Sequence, residues 1–130
     1  MTVFSFKYKQ YGNRWLPIIP VKIKSAQNQL LTEALLDTGA SISTFSAEIA
    51  EFLEIDYTHG KVVYPLGTSG HIKAYLVNVT LEIGEKEIHC PALFSKELVS
   101  KFNLLGMQGI FDPFKVTFDS KNKTVLFQEH

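Results

Sequence analysis

Ala34-Leu35-Leu36-Asp37-Thr38-Gly39-Ala40-Ser41 is the stretch on which the reading of this chain turns. An apolar run brings the backbone out of a core, as a buried strand does, and ends on a carboxylate where the chain must change direction. Gly39 permits the turn and lets another backbone or a ligand approach closely. Thr38 supplies a hydroxyl that can fix the loop by hydrogen bonding. A carboxylate held in this way can act as a general acid or base once its protonation is tuned. The same tripeptide is also ordinary turn chemistry, because Asp and Gly both favour turns. The surroundings have to separate the two readings.

The flanking sequence reads as strands. Leu30 to Leu36 climbs into a core, and before it Pro17 and Pro20 flank Ile18-Ile19, with alternation resuming from Pro20 to Lys24. Thr2 to Lys9 alternates Phe4, Phe6 and Tyr8 against Ser5 and Lys7 and predicts a half-buried strand. A turn is expected at Tyr11-Gly12-Asn13-Arg14. After Asp37, Ile42 to Phe45 continues extended. Ser46 then reads as an N-cap for a short helix over Ala47–Leu53, with Glu48 suited to its first turn.

Further on, Lys61 to Tyr64 and His71 to Val79 predict a long hairpin with Gly67-Thr68-Ser69-Gly70 at its tip. Such a hairpin is either a plain surface feature or a lid over a cleft. Thr80–Ile83 and Lys86–Cys90 predict a second hairpin about Gly84-Glu85, and Ala92-Leu93-Phe94 a further strand. Helical turns are expected at Leu98–Phe102 and Met107–Phe111. Val116–Phe118 and Thr124–Phe127 flank a polar turn at 120–123. Many short strands separated by turns, with one or two short helices, define an all-β domain.

Composition narrows the function. The chain has 130 residues, 45% of them hydrophobic, and a formal net charge of zero. One domain is expected, with no electrostatic footprint for nucleic acid or an acidic membrane. The N-terminal stretch has no long apolar segment, so neither a signal peptide nor a membrane span is expected. The single cysteine, Cys90, excludes an internal disulfide and suits a reducing, cytoplasmic (intracellular) compartment. His89-Cys90 lacks a second pair at ligand spacing, so no metal or other cofactor is expected. The serines lack a nucleophile elbow, and Gly67–Gly70 lacks the lysine of a phosphate loop.

Three features in order and spacing resemble the retropepsin-like aspartic proteases, the single-lobe relatives of pepsin. Leu35-Leu36-Asp37-Thr38-Gly39-Ala40-Ser41 is similar to their active-site loop, the hairpin about Tyr64 and Gly67–Gly70 to their flap, and Asn103-Leu104-Leu105-Gly106 to the apolar-apolar-Gly element before their C-terminal helix. The resemblance spans about Trp15 to Phe127. It implies a closed acid-protease barrel lobe forming a core over about 15–127, preceded by an N-terminal strand extension over about 1–14. It also implies a hydrolase, an aspartic-type endopeptidase acting on a peptide or protein in extended conformation. Family catalysis uses two aspartates and this chain has one Asp-Thr-Gly, so a homodimer follows, with Asp37 as the catalytic residue of each subunit. Thr38, Gly39 and Ala40 would complete the active-site loop, with Thr38 bracing the two loops across the dimer. Tyr64, Gly67, Thr68, Ser69 and Gly70 would close over substrate, although Tyr64 reads equally well as a core residue. Leu104, Leu105 and Gly106 would be structural. The alternative within the same fold is a catalytically silent dimeric module that binds peptides or acts as a scaffold.

The chain also departs from the family pattern. Ala40 stands where pepsin-type loops carry serine, and a pH optimum less acidic than pepsin's is expected from the missing hydroxyl. Met107-Gln108 replaces a pair that is charged in many relatives, so an ion pair bracing the dimer from that position is missing. The tip at Thr68-Ser69 has fewer glycines than viral flaps. The segment before Trp15 is longer than in viral enzymes, whose termini interleave in the dimer.

Overall fold

The structure, a computed structural model, describes residues 3–67, 70–98 and 102–130. In chain order the first strands are β1 (Val3–Lys7), β2 (Lys9–Tyr11), β3 (Arg14–Leu16), β4 (Ile18–Lys24), β5 (Gln29–Leu36) and β6 (Ser43–Ser46). Helix α1 (Ala47–Phe52) and a single turn at Tyr57–His59 follow. The remaining strands are β7 (Lys61–Val63), β8 (Leu66–Gly67), β9 (Gly70–His71), β10 (Ala74–Ile83), β11 (Lys86–Ser95), β12 (Asn103–Leu105), β13 (Phe114–Asp119) and β14 (Thr124–Glu129).

The largest sheet runs β11-β6-β12-β5-β4-β10-β7, and β10 also pairs with β11, closing a six-stranded barrel with β7 on the rim. Alternation explains the closure. On β4 and β5 every second side chain turns inward: Ile19, Val21, Ile23, Ala34 and Leu36 are buried. They meet Phe45, Leu81, Ile83, Phe94 and Leu105 in one core. Helix α1 closes one side with Ala47 and Ala50, and its N-cap is the expected one: Ser46 Oγ accepts the Glu48 amide at 3.3 Å.

A second sheet, β1-β14-β13, carries its own aromatic cluster. Phe4 stacks on Phe127 at 5.2 Å, and Phe114 meets both rings edge-on. Each such pair adds about 0.5–1.5 kcal/mol beyond its buried area. The question of the termini has an answer within one chain: β1 pairs antiparallel with β14, Val3 opposite Gln128 and Lys7 opposite Thr124. β13 takes the other edge of β14, so both its edges are occupied by strands of the same chain.

Several expected boundaries shift. The strand anticipated over Thr2–Lys9 is two, broken at Tyr8, whose amide donates to the Lys123 carbonyl at 2.8 Å. The return strand from His71 is interrupted at Ile72–Lys73, and beyond the break β10 runs unbroken to Ile83. Ala92–Phe94 is no separate strand but the continuation of β11 through Pro91. There β6 pairs only from Ala92 onward, so the proline ring sits where β11 has one neighbour. Met107–Phe111 forms one wide turn, not a regular helix, because Gln108 and Gly109 leave helical backbone angles. The turn expected at Leu98–Phe102 falls largely on 99–101, outside the described residues.

Candidate active site

Strand β12 lies between β5 and β6, parallel to the first and antiparallel to the second. This placement makes the loop between β5 and β6 rigid. Asp37 leaves β5 with its amide still donating to the Leu105 carbonyl at 2.9 Å. The chain turns at once, and the Ala40 amide bonds the Asp37 carbonyl at 3.1 Å. On the far side Met107 and Gln108 donate backbone amides to the Ala40 and Ser41 carbonyls at 2.8 and 2.9 Å. Met107 and Gln108 thus brace the loop through their backbone.

The carboxylate is half-buried, and its Oδ1 accepts the Gly39 amide at 2.8 Å. A β-carbon at Gly39 would lie 3.1 Å from that same oxygen. Gly39 does not have a positive φ, so the glycine serves clearance beside the carboxylate rather than an unusual turn. Thr38 is exposed, and among the described residues its hydroxyl has no hydrogen-bond partner. Ala40 is half-buried.

β12 and Gly106 lie against this loop. Leu105 is buried, and Gly106 packs so closely that a β-carbon there would lie 2.8 Å from the Ala40 carbonyl oxygen. The hairpin residues are elsewhere. Tyr64 is 62% exposed and not a core residue. Gly67 pairs with Gly70 across the hairpin, and His71 Nδ1 lies 2.8 Å from the Tyr64 carbonyl oxygen. Thr68 and Ser69 lie outside the described residues. Among the described residues no hydrogen bond joins this hairpin to the Asp37 loop.

Three residues have supporting roles that the sequence reading did not assign. Ser43, fully buried, accepts the Gly106 amide on its Oγ. Asn103 bridges strands, accepting the Ser46 amide at 3.1 Å and donating to the Glu33 carbonyl at 3.1 Å. Ser95 donates to the Lys73 carbonyl at 2.6 Å, satisfying a backbone group at the interruption before β10. The available signal was a polar residue inside an apolar run, as in Ile42-Ser43-Thr44-Phe45; a buried hydroxyl there needs a partner.

A cavity of about 620 Å³, lined by groups including Lys24, Asn78, Thr80, Glu87 and His89, contains no predicted site residue. Among the described residues no cluster of His, Cys, Asp and Glu is placed to hold a metal ion. No helix among them is long and apolar enough to cross a membrane.

The fold is that of the retropepsin-like aspartic proteases. A crystal structure of a retropepsin-like aspartic protease from Rickettsia conorii superposes with a TM-score of 0.72 and 21% identity, covering 97% of this chain and 91% of that one. The EIAV protease, solved with the inhibitor HBY-793, matches with a TM-score of 0.54 and 22% identity over 75% of this chain and 88% of its own. No curated protein gives a significant sequence match. The model of the family described as gag-polyprotein putative aspartyl protease matches residues 21–110, and the chain belongs to that family.

Proposed function

We propose that the chain is one domain that works as a homodimeric aspartic endopeptidase, with Asp37 of each subunit forming the catalytic pair. The observation that carries this reading is the setting of Asp37. One carboxylate oxygen is fixed by the Gly39 amide, the backbone on either side is tied to β12, and the next residue presents an unbonded hydroxyl to solvent. Such a loop is rigid on its inner side and incomplete on its outer side. A second copy supplies what is missing. The two loops meet about a twofold axis, where each patch faces its own copy, and the Thr38 hydroxyls brace them.

Two carboxylates at close range do not both ionise easily, so they share one proton, as is general for aspartic proteases. The ionised member takes a proton from a water, which attacks the scissile carbonyl carbon. The protonated member donates to the carbonyl oxygen. Collapse of the tetrahedral intermediate, with a proton passed to the amine, releases the two peptides. The hairpin at Tyr64–His71 serves as the flap, and an extended substrate adds backbone hydrogen bonds along it. The buried free thiol of Cys90 suits an intracellular setting.

The test is cleavage of a diverse peptide mixture from acid to neutral pH by the wild type and by Asp37→Asn. The expected result is cleavage at internal bonds, reduced about 100- to 10,000-fold in Asp37→Asn. No cleavage by a folded, dimeric wild type would leave the peptide-binding module in its place. Equal cleavage by both proteins would remove Asp37 from the chemistry.

A further inference from the structure

The hairpin of β2 and β3 stands outside the barrel sheet. Among the described residues these strands form a two-stranded sheet that pairs with no other strand, turned through Gly12 at φ +63. Contacts that seat it against the barrel include an ion pair between Lys9 and the Glu33 carboxylate. Tyr11 also meets Phe102 edge-on, with centroids 5.0 Å apart.

Between the hairpin and the barrel lies a cavity of about 450 Å³, lined by Lys9, Tyr11, Ile18, Leu31, Glu33 and Phe102 among others. That volume lies in the range of small-molecule sites, about 300–1,000 Å³. Leu31 is 66% exposed at its edge, unusual for a leucine in the middle of a barrel strand. Side chains on a strand alternate between faces. Leu31, Glu33 and Leu35 therefore share one face of β5, and continuing the alternation places Asp37 on that side. Ile18, opposite Leu35, belongs to it too. At about 3.3 Å per residue, Glu33 and Leu31 stand about 13 and 20 Å along the strand from Asp37, which an extended peptide covers in about four to six residues.

We infer that this cavity is an outlying subsite for an apolar side chain, aromatic by preference, of a peptide whose scissile bond lies at Asp37. The occupant's chemistry follows from the lining. Lys9 and Glu33 neutralise one another at the rim, so a charged side chain finds no unbalanced partner between them. Tyr11, Phe102 and Leu31 offer aromatic and aliphatic surface, and the uncharged polar groups of Thr32 and Asn103 beside them complete the lining. A phenyl ring is the kind of group that gains most there, because an aromatic side chain buries about 150–250 Å². The link to the scissile bond rests on the protease reading of Asp37; the cavity's preference for an aromatic group does not.

The experiment separates these two parts. Isotope-labelled Asp37→Asn protein is titrated with N-acetylphenylalanine amide and with N-acetylalanine amide, and backbone amide shifts are followed. Saturating shifts at Leu31, Thr32 and Phe102 with the phenylalanine probe alone, lost in the additional variants Leu31→Ser and Tyr11→Ala, are expected. The absence of those shifts, equal shifts with the alanine probe, or shifts that survive both variants overturn the subsite. Wild-type protein is then given twelve-residue peptides carrying phenylalanine or glycine four to six residues from a cleaved bond. An advantage of about tenfold in kcat/KM for phenylalanine, carried by KM and lost in Leu31→Ser, is expected. Equal rates overturn the link to Asp37. If no peptide is cleaved at all, the protease reading fails, while the amide shifts still decide the cavity.

Discussion

The amide of Gly106 donates to the Oγ of Ser43 across 3.0 Å, where both residues are buried. This bond joins the end of β12 to the start of β6, directly behind the loop that presents Asp37. It satisfies a backbone donor that neither strand ladder nor solvent serves. Ser43→Ala leaves that donor unpaired, a loss of about 1–3 kcal/mol. Urea unfolding at fixed protein concentration should show a lower midpoint with an unchanged slope.

Gly106 and Gly109 are both irreplaceable, for different reasons. Gly106→Ala drives a methyl group to 2.8 Å from the Ala40 carbonyl oxygen, so backbone must move; overpacking of this kind costs about 1–3 kcal/mol. Gly109 sits at φ +88, and a β-carbon there would meet the Cys90 β-carbon at 2.3 Å. Gly109→Ala therefore adds backbone strain to a clash and should be the more destabilising of the two. Thermal melts of both variants beside wild type give the order directly.

Burial pushes the Cys90 thiol up from 9.0 to about 11. Between these values the unfolded chain releases a proton that the folded chain retains. The contribution is fully present below pH 9 and is lost as pH rises through 11, at most about 2–3 kcal/mol. Unfolding free energies measured from pH 8 to pH 11 should fall more steeply for wild type than for Cys90→Ala. The native thiol should also resist alkylation at pH 8 and react once urea unfolds the chain.

If two copies of Asp37 act together, inactive subunits poison active ones. Mixing wild type with an equal amount of Asp37→Asn and allowing exchange leaves a quarter of randomly formed dimers with both carboxylates. Activity per wild-type subunit then falls to about half. Unchanged activity would mean that each chain works alone, against the paired mechanism.

The barrel was legible because its strands alternate cleanly. Ile19, Val21 and Ile23 on one strand, Ala34 and Leu36 on the next, signal one buried face without reference to their partners. The capping of α1 by Ser46 was equally local. What escaped depended on distance along the chain. Nothing near Ser43 announces Gly106, and nothing near Asn103 announces Ser46 and Glu33. Pro91 and the Gly-containing stretch at 67–70 read as breaks because local propensity disfavours strands there. Pro91 is tolerated because the strand has a single neighbour there, and the interruption of the described hairpin falls at Ile72–Lys73. Gly39 read as a turn residue that also admits a close neighbour; that the close neighbour is the Asp37 carboxylate depends on atoms that only the fold brings together.

The pairing of β1 with β14 sets an order on folding. Val3 meets Gln128, so closing that sheet joins points about 125 residues apart along the chain, and the entropic cost of closure grows with the logarithm of that separation. The barrel's own pairings span less: single turns join β4 to β5 and β10 to β11, and the widest, β5 with β12, joins Ala34 to Asn103, 69 residues apart. The barrel can therefore form while the rings of Phe4 and Phe6 still wait for Phe127. In synthesis Phe4 and Phe6 precede their shared partner Phe127 by about 120 residues, so the aromatic cluster of the first strand is completed only after every barrel strand has been made.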